Sequence, residues 1–467
     1  MKQLQIILLL LSFSMISCQK EKYDIIIKNV NIVDVEAGKI IQAQDIGITN
    51  QMITRITNAN GLSPNDSTKV LDGTGKFVMP GLWDMHVHLY FPDKEYLKLY
   101  IAKGVTGIRE MSGWKMKWKD STNQNQFVPR MQISSLIMDG PAPWFKGDVP
   151  VKNCEEAVKM VKEAKRKGHD FVKLLSLVPR DQYHAIVEEC QKSGYSFAGH
   201  IPFCIPTLEA AKAGQKSNEH MESILLACSS KEEEYRVRID SLLENLNPDN
   251  APTQKRKLIM TERGATASFN QEKADRLIDS LSKYQMWQCP TLSVLQAHVF
   301  NQLPIQKTDG REAYFPFPPK KIPEFKTIPK PLQKARGRVK LQMKLLKQMH
   351  DKGIGILAGT DQGCAGFNLH DELAFMVNAG FSEADALKTA TINPAIYTDQ
   401  EEFLGSVSPN KAADLILLNS NPLENIQNTR DINLVIYRNH ILDPQKLLQD
   451  VKSVNEKIVS ATKKSKE

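Results

Sequence analysis

Cysteine is scarce in this sequence: 467 residues hold seven, and no two of them form a C-x-x-C pair. That excludes a disulfide-built scaffold and argues against a thiolate zinc site. Cys154, Cys190, Cys204, Cys228, Cys289 and Cys364 lie scattered through apolar stretches and read as free thiols. Charge of one sign never accumulates either. The formal net charge of +8 is spread along the chain, apart from a short basic tail at Lys463, Lys464 and Lys466, so no nucleic-acid partner is expected. The apolar run Ile6–Leu11 is too short to span a bilayer. What remains is ordinary globular composition, 41% hydrophobic and 24% charged, with length for one large α/β domain and a smaller companion.

The apolar run follows Met1-Lys2 and leads into Ser12-Phe13-Ser14-Met15-Ile16-Ser17-Cys18. A charged start, a short apolar core and small residues before a cleavage point describe an export signal over residues 1–17. Met15-Ile16-Ser17-Cys18 reads as a loose bacterial lipobox, in which Cys18 becomes the lipidated first residue. The expectation is an exported bacterial lipoprotein, periplasmic or at the outer membrane, whose membrane contact is the lipid on Cys18.

Residues 23–79 read as short β-segments punctuated by Asn and Gly, and residues 403–445 have the same character. Two β-rich pieces from opposite ends are expected to join in one small β domain, a sandwich, beside the main body. Over residues 80–402 short apolar segments alternate with Lys- and Glu-rich amphipathic ones. The expected strands are Gly81–His88, Val105–Glu110, Met131–Met138, Asp170–Leu175, Tyr195–His200, Lys216–His220, Met286–Leu292 and Gly355–Thr360. Helices are expected at Cys154–Arg166 and Asp181–Gln191, and residues 446–467 form a helical, basic tail. Strand–helix alternation of this kind predicts an α/β protein with a (β/α)8 TIM-like barrel. Two connections are too long for plain turns. Residues 221–285 are charged and helical, and residues 295–345 include Tyr314-Phe315-Pro316-Phe317-Pro318-Pro319. The second falls on the face where such barrels keep their sites and is expected to wall a pocket.

The residues that carry chemistry sit at strand ends. His86 and His88 are two apart in an extended segment, so both imidazoles face one side. His200 closes Tyr195–Gly199, His220 follows Asn218-Glu219, and Asp361 follows Ile354–Thr360. The chain has only ten histidines, and four of them fall at these ends. Lys173 interrupts Asp170-Phe171-Val172-Lys173-Leu174-Leu175, a strand that should be buried on both faces. A buried ammonium is costly unless paired or discharged. Either Lys173 snorkels to the strand end, or it takes up CO2 as a carbamate, an anion able to bridge two metals. Arg109 ends its strand and is a candidate to bind a substrate carboxylate; an ion pair with Glu110 or a loop acid is the structural reading.

Met79-Pro80-Gly81-Leu82-Trp83-Asp84-Met85-His86-Val87-His88 resembles a signature of the amidohydrolase superfamily. Gly104–Glu110, the Lys173 strand, the His200-to-His220 spacing, Ala358-Gly359-Thr360-Asp361 and Asn393-Pro394-Ala395 resemble its imidazolonepropionase-like and Xaa-Pro dipeptidase branch. Leu404–Val407 with Lys411–Leu415 resembles that family's return into its small β domain. The resemblance implies that His86, His88 and Asp361 hold one metal, and that His200 and His220 hold a second with carbamylated Lys173 between them. Nitrogen and oxygen ligands suit Zn2+ best. Asp361 would also be the catalytic proton carrier, and a hydroxide generated on the metals would cleave an amide.

The chain departs from its relatives at Ile201-Pro202-Phe203 and at Asp139-Gly140-Pro141-Ala142-Pro143-Trp144. Both segments border the pocket, so substrate does not transfer. The expected function is a binuclear hydrolase cleaving a C–N bond of a dipeptide or N-acyl amino acid. The alternatives are a mononuclear cyclic-amide hydrolase or deaminase, and a catalytically silent binding lipoprotein. Lys173 favours the first, as does the lack of a Glu shortly after His200; an intact ligand set disfavours the last. Homo-oligomerisation is left open.

Overall fold

The computed structural model describes residues 22–119, 127–299, 310–314, 330–361 and 365–464. The expected export signal, Cys18, Phe315–Pro319 and Cys364 lie outside them. Among the described residues no helix is long and apolar enough to cross a membrane.

Both ends of the chain build one sheet. From the N-terminal side come β1 (Ile25–Asp34), β2 (Lys39–Thr49), β3 (Met52–Asn58), β4 (Lys69–Asp72) and β5 (Phe77–Pro80). The C-terminal side supplies β15 (Leu415–Leu418), β16 (Ile432–Tyr437) and β17 (His440–Leu442). The order is β17-β16-β15-β5-β1-β2-β3, with β4 branching from β1. Branched aliphatics at Ile25, Ile27, Ile32, Ile46 and Ile48 pack with Leu415, Leu417 and Ile436 in a buried cluster. The two segments expected to form a small sandwich join in one hydrogen-bonded network, in which β1 is shared along its length. Its Ile25–Lys28 half pairs with β4, and Asn31–Ile32 pair with β5.

Between these ends lie short parallel strands: β6 (Leu82–Val87), β7 (Val105–Glu110), β8 (Arg130–Ile133), β9 (Met138–Asp139), β10 (Val149–Pro150), β11 (Val172–Leu174), β12 (Phe197–Gly199), β13 (Ser217–Glu219) and β14 (Trp287–Cys289). They form a three-stranded sheet, β6-β7-β8, and a six-stranded one, β10-β9-β11-β12-β13-β14. Backbone hydrogen bonds join the two. Asp170 N–H donates to Ile133 O at 2.8 Å, and Ser135 N–H to Phe171 O at 2.7 Å. At the other edge, the extended segment 354–361 binds β14 through Gln288 N–H to Gly355 O at 2.9 Å, and β6 through Met85 N–H to Ala358 O at 2.8 Å.

The expected strands are therefore present but short, and Gly355–Thr360 is not a regular strand. It bridges its neighbours at Ile356 and then turns, with Asp361 at φ 49° and its N–H on His86 O at 2.7 Å.

Local signals explain the helices. The helix Cys154–Arg166 starts on Asn153, whose side chain accepts Glu156 N–H at 2.8 Å, with acids in its first turn and Lys165 and Arg166 in its last. Arg180–Ser193 stops at Gly194, which takes the left-handed conformation at φ 60°. Residues 221–285 are indeed mostly helical, with Glu232–Glu244, Ala251–Gly264 and Gln271–Tyr284 the longer helices. A further helix covers Lys330–Asp351 in the second long connection, and the tail is the helix Pro444–Lys464.

Candidate metal centre

The ends of β6, β12 and β13 and the turn at Asp361 converge. His86 is buried; His88, His200, His220 and Asp361 are partly buried. Asp361 Oδ1 lies 3.1 Å from His88 Nε2 and 3.5 Å from His86 Nε2, and its Oδ2 lies 3.9 Å from His220 Nε2. The His220 ring stands 4.8 Å from that of His86 and 4.9 Å from that of His200, centre to centre. Ligand atoms of His86, His88 and Asp361 fall within 4.8 Å of one another. The structure thus gathers the five expected histidine and aspartate ligands, and places Lys173 among them.

Backbone strain accompanies the convergence. His220, Thr291 and Asp361 all have positive φ, at 60°, 47° and 49°. Non-glycine residues rarely adopt that region, and holding three there requires surroundings that overdetermine them. Asp84 is one such support: its carboxylate accepts both N–H and Oγ1–H of Thr360, at 3.0 and 2.8 Å.

Each of three imidazoles has its outward nitrogen engaged. His86 Nδ1 lies 2.8 Å from Glu219 Oε2, His220 Nδ1 lies 2.7 Å from Thr291 Oγ1, and His200 Nδ1 lies 2.7 Å from Ser176 Oγ and 3.0 Å from Glu222 Oε1. This arrangement fixes ring orientation and aims the other nitrogen inward, as metal-ligating histidines require. Burial holds His86 and His200 well below the usual imidazole range and brings His220 down to about 4, so all three are neutral donors at pH 7. For Asp361 burial acts upward, but the histidines around it, His86 first, outweigh it and hold the carboxylate ionised.

The fit to a cation rests on atoms left unsatisfied. Among the described residues His86 Nε2 and Lys173 Nζ are buried and have no hydrogen-bond partner. Lys173 is 1% exposed, so the snorkelling reading is excluded. Burial lowers its affinity for a proton, against the pull of Glu219 and Asp361. Neutral imidazoles and an ionised carboxylate suit a divalent ion, and the buried amine beside them holds its proton less tightly than an exposed lysine does. A second grouping, His86 with Glu219 and Cys289, also falls within 4.8 Å but is unsuited. Both Glu219 oxygens already accept hydrogen bonds from Arg109, and burial pushes the Cys289 thiol well above its ordinary value.

Arg109 corrects the sequence reading. It does not face a substrate: it is fully buried, and its partners are fixed. Nε donates to Met85 O at 2.6 Å, Nη1 to Ser217 Oγ and Tyr397 Oη at 2.9 and 2.8 Å, and Nη2 to both Glu219 oxygens at 2.9 and 3.0 Å. With its donors spent inside, it cannot receive a carboxylate, and its acid is Glu219 rather than Glu110.

Sequence reasoning missed Glu219, Glu222, Asp84, Ser176 and Thr291. A signal existed for Glu219, which is a charge inside a three-residue buried strand, as Lys173 is. None existed for Glu222, which reaches His200 only because the chain reverses after β13.

A cavity of about 240 Å³ opens onto His200, His220 and Glu222. Its walls include Trp144 and Phe203 from the two departing segments and residues of both long connections, as the second was expected to supply.

Residues 316–443 match the sequence model of the amidohydrolase family. Over 96 residues the chain is 33% identical to an adenine deaminase of Listeria welshimeri, a match covering 20% of this chain and 16% of that protein. An adenine deaminase of Agrobacterium fabrum is 33% identical over 91 residues, 19% of this chain and 15% of that one. The chain thus spans about a sixth of the length of the curated relatives it matches. In fold it is similar to a Xaa-Pro dipeptidase solved with methionine in its active site (19% identity, TM-score 0.63, covering 90% of this chain and 99% of that one). It is also similar to an ochratoxinase of A. niger (17% identity, TM-score 0.61, covering 91% and 96%).

Proposed function

Because the chain belongs to the amidohydrolase superfamily, we propose that it is a metal-dependent hydrolase of carbon–nitrogen bonds with a two-metal site, acting on a small amide. We read the parallel segments as a (β/α)8 barrel spanning residues 80–402, with residues 23–79 and 403–445 as its companion β domain. The hydrogen bonds that lead from β6 around to segment 354–361 and back to β6 support that reading. On it, the site lies at the C-terminal ends of the strands, where barrel enzymes assemble their chemistry.

The observation that carries the proposal is the pair of unsatisfied nitrogens, His86 Nε2 and Lys173 Nζ, inside a ring of neutral histidines and one carboxylate. His86, His88 and Asp361 would hold one ion, and His200 and His220 a second. Lys173 would stand between them after its neutral amine adds to CO2 and loses a proton, giving an anionic carbamate. Divalent ions there, Zn2+ first for this ligand chemistry, supply Lewis acidity and an acidified water. Asp361 then has one task, to take the proton of the attacking water and deliver it to the leaving nitrogen as oxygen bonds to the carbonyl carbon and the C–N bond breaks. Glu219 keeps His86 aimed, and Glu222 with Ser176 does the same for His200.

A second reading is a mononuclear deaminase. Glu222, beside His200, is a carboxyl that burial pushes up to about 7, the kind of acid such chemistry uses, and the curated relatives above are adenine deaminases. One experiment separates the readings: count metals per chain in the purified protein, then screen dipeptides, N-acyl amino acids, lactams and adenine. Two metals with amide cleavage support the first; one metal with ammonia release from adenine supports the second.

A further inference from the structure

Two arginines line the same cavity as His200 and His220. Arg338 comes from the helix Lys330–Asp351 and is partly buried; Arg263 ends the helix Ala251–Gly264 and is exposed. Burial first, then the nearby charge of Arg263, lowers the proton affinity of Arg338. Among the described residues neither has a hydrogen bond or ion pair from its side chain. The acid nearest in sequence, Glu262, turns its Oε1 to Ser223 N–H at 2.8 Å, and burial pushes it up to about 7, so it neutralises them only in part. Glu222 and Glu262 share the cavity, but burial pushes both up to about 7 and neither makes a hydrogen bond or ion pair with the guanidiniums, which leaves two arginines able to receive an anion.

We propose that Arg338, with Arg263 at the rim, binds a carboxylate on the substrate, so that the enzyme acts on amides of amino acids whose carboxyl group is free. This rests on the hydrolase reading above and assigns to Arg338 the task that Arg109 cannot perform. The cavity, about 240 Å³, falls below the ~300–1,000 Å³ of drug-sized sites and suits a small substrate. Its apolar walls at Phe203, Leu225 and Leu295 would take an aliphatic side chain, while the arginines hold the carboxylate. A neutral base such as adenine has no anionic group for them.

L-Leucine and L-leucinol test this without turnover, since neither contains an amide and they differ in the carboxylate alone. Calorimetry on the metal-loaded protein should show leucine binding at least about tenfold more tightly, a gap of about 1.4 kcal/mol. The gap should largely close in Arg338→Gln, narrow in Arg263→Gln and partly persist in Arg338→Lys, which keeps a charge but not the two-pronged geometry. Equal binding of the two ligands overturns the proposal. So does a gap that survives in the Arg263→Gln/Arg338→Gln double variant, which would place the carboxylate on the metals. An arginine-dependent gap in a protein that cleaves no C–N bond would sink the hydrolase reading and leave the carboxylate site standing.

Discussion

Arg109 and Glu219 form a fully buried ion pair, with Nη2 at 2.9 and 3.0 Å from the two carboxylate oxygens, and Glu219 passes this anchorage on to His86 Nδ1 at 2.8 Å. Burial alone would lower the guanidinium and raise the carboxyl; each partner's charge outweighs that effect for the other. Removing one partner leaves an uncompensated buried charge. Arg109→Met should cost about 3–5 kcal/mol in denaturant unfolding. A variant of native stability whose only defect is a raised KM would return Arg109 to substrate binding. Glu219→Gln should reduce metal affinity by about 10–100-fold, read by metal titration.

Lys173→Ala removes the amine whose hold on its proton burial weakens. Bound metal is expected to fall from two ions to one and activity to be lost, with partial rescue by added short carboxylates. Metal analysis together with an acetate or propionate titration checks this. Undiminished metal content and activity would make Lys173 a bystander.

Gly359 leaves no room for a side chain. A Cβ there would lie 2.5 Å from Cys289 Sγ, 2.7 Å from His86 Cβ and 2.9 Å from the His86 backbone nitrogen. Gly359→Ala must therefore displace His86, and overpacking of this sort costs about 1–3 kcal/mol. Metal content should fall by more than the loss of stability accounts for, because His86 is the ligand pushed aside.

Glu372 is buried and accepts N–H groups from Leu292 and Ser293 at 2.8 and 2.7 Å. Burial raises its carboxyl from 4.5 to about 8. A raised carboxyl favours the fold in its protonated form, so its stabilisation is complete below about 4.5 and disappears as pH rises through about 8. Wild type should lose stability relative to Glu372→Gln between about pH 5 and about pH 9 in denaturant titrations. A difference that does not change with pH would show that Glu372 stays ionised.

Metal removal should also register in the fold. An ion that binds the folded chain at 100 times its Kd contributes about 2.7 kcal/mol, so chelation should lower Tm and added Zn2+ should restore it.

His86, His88, His200, His220, Asp361 and Lys173 could be picked out from the sequence because each breaks a local rule, a polar or charged group where an apolar strand ends or should be buried on both faces. That rule is local, so the sequence alone determined the candidate ligands, the α/β class and the long helices with their caps. It did not determine how the strands end, because β11, β12 and β13 are only three residues each and are held by neighbours rather than by propensity. Arg109 and Glu219 break the same rule as Lys173, yet they are structural. The difference lies in which buried charge finds a partner across more than a hundred residues of chain. Only the tertiary structure decides that, since pairing satisfies Arg109 inside the protein and leaves Lys173 Nζ without a partner among the described residues. The same holds for Arg263 and Arg338, unremarkable on two surface-type helices until packing turned them into one cavity with the histidines.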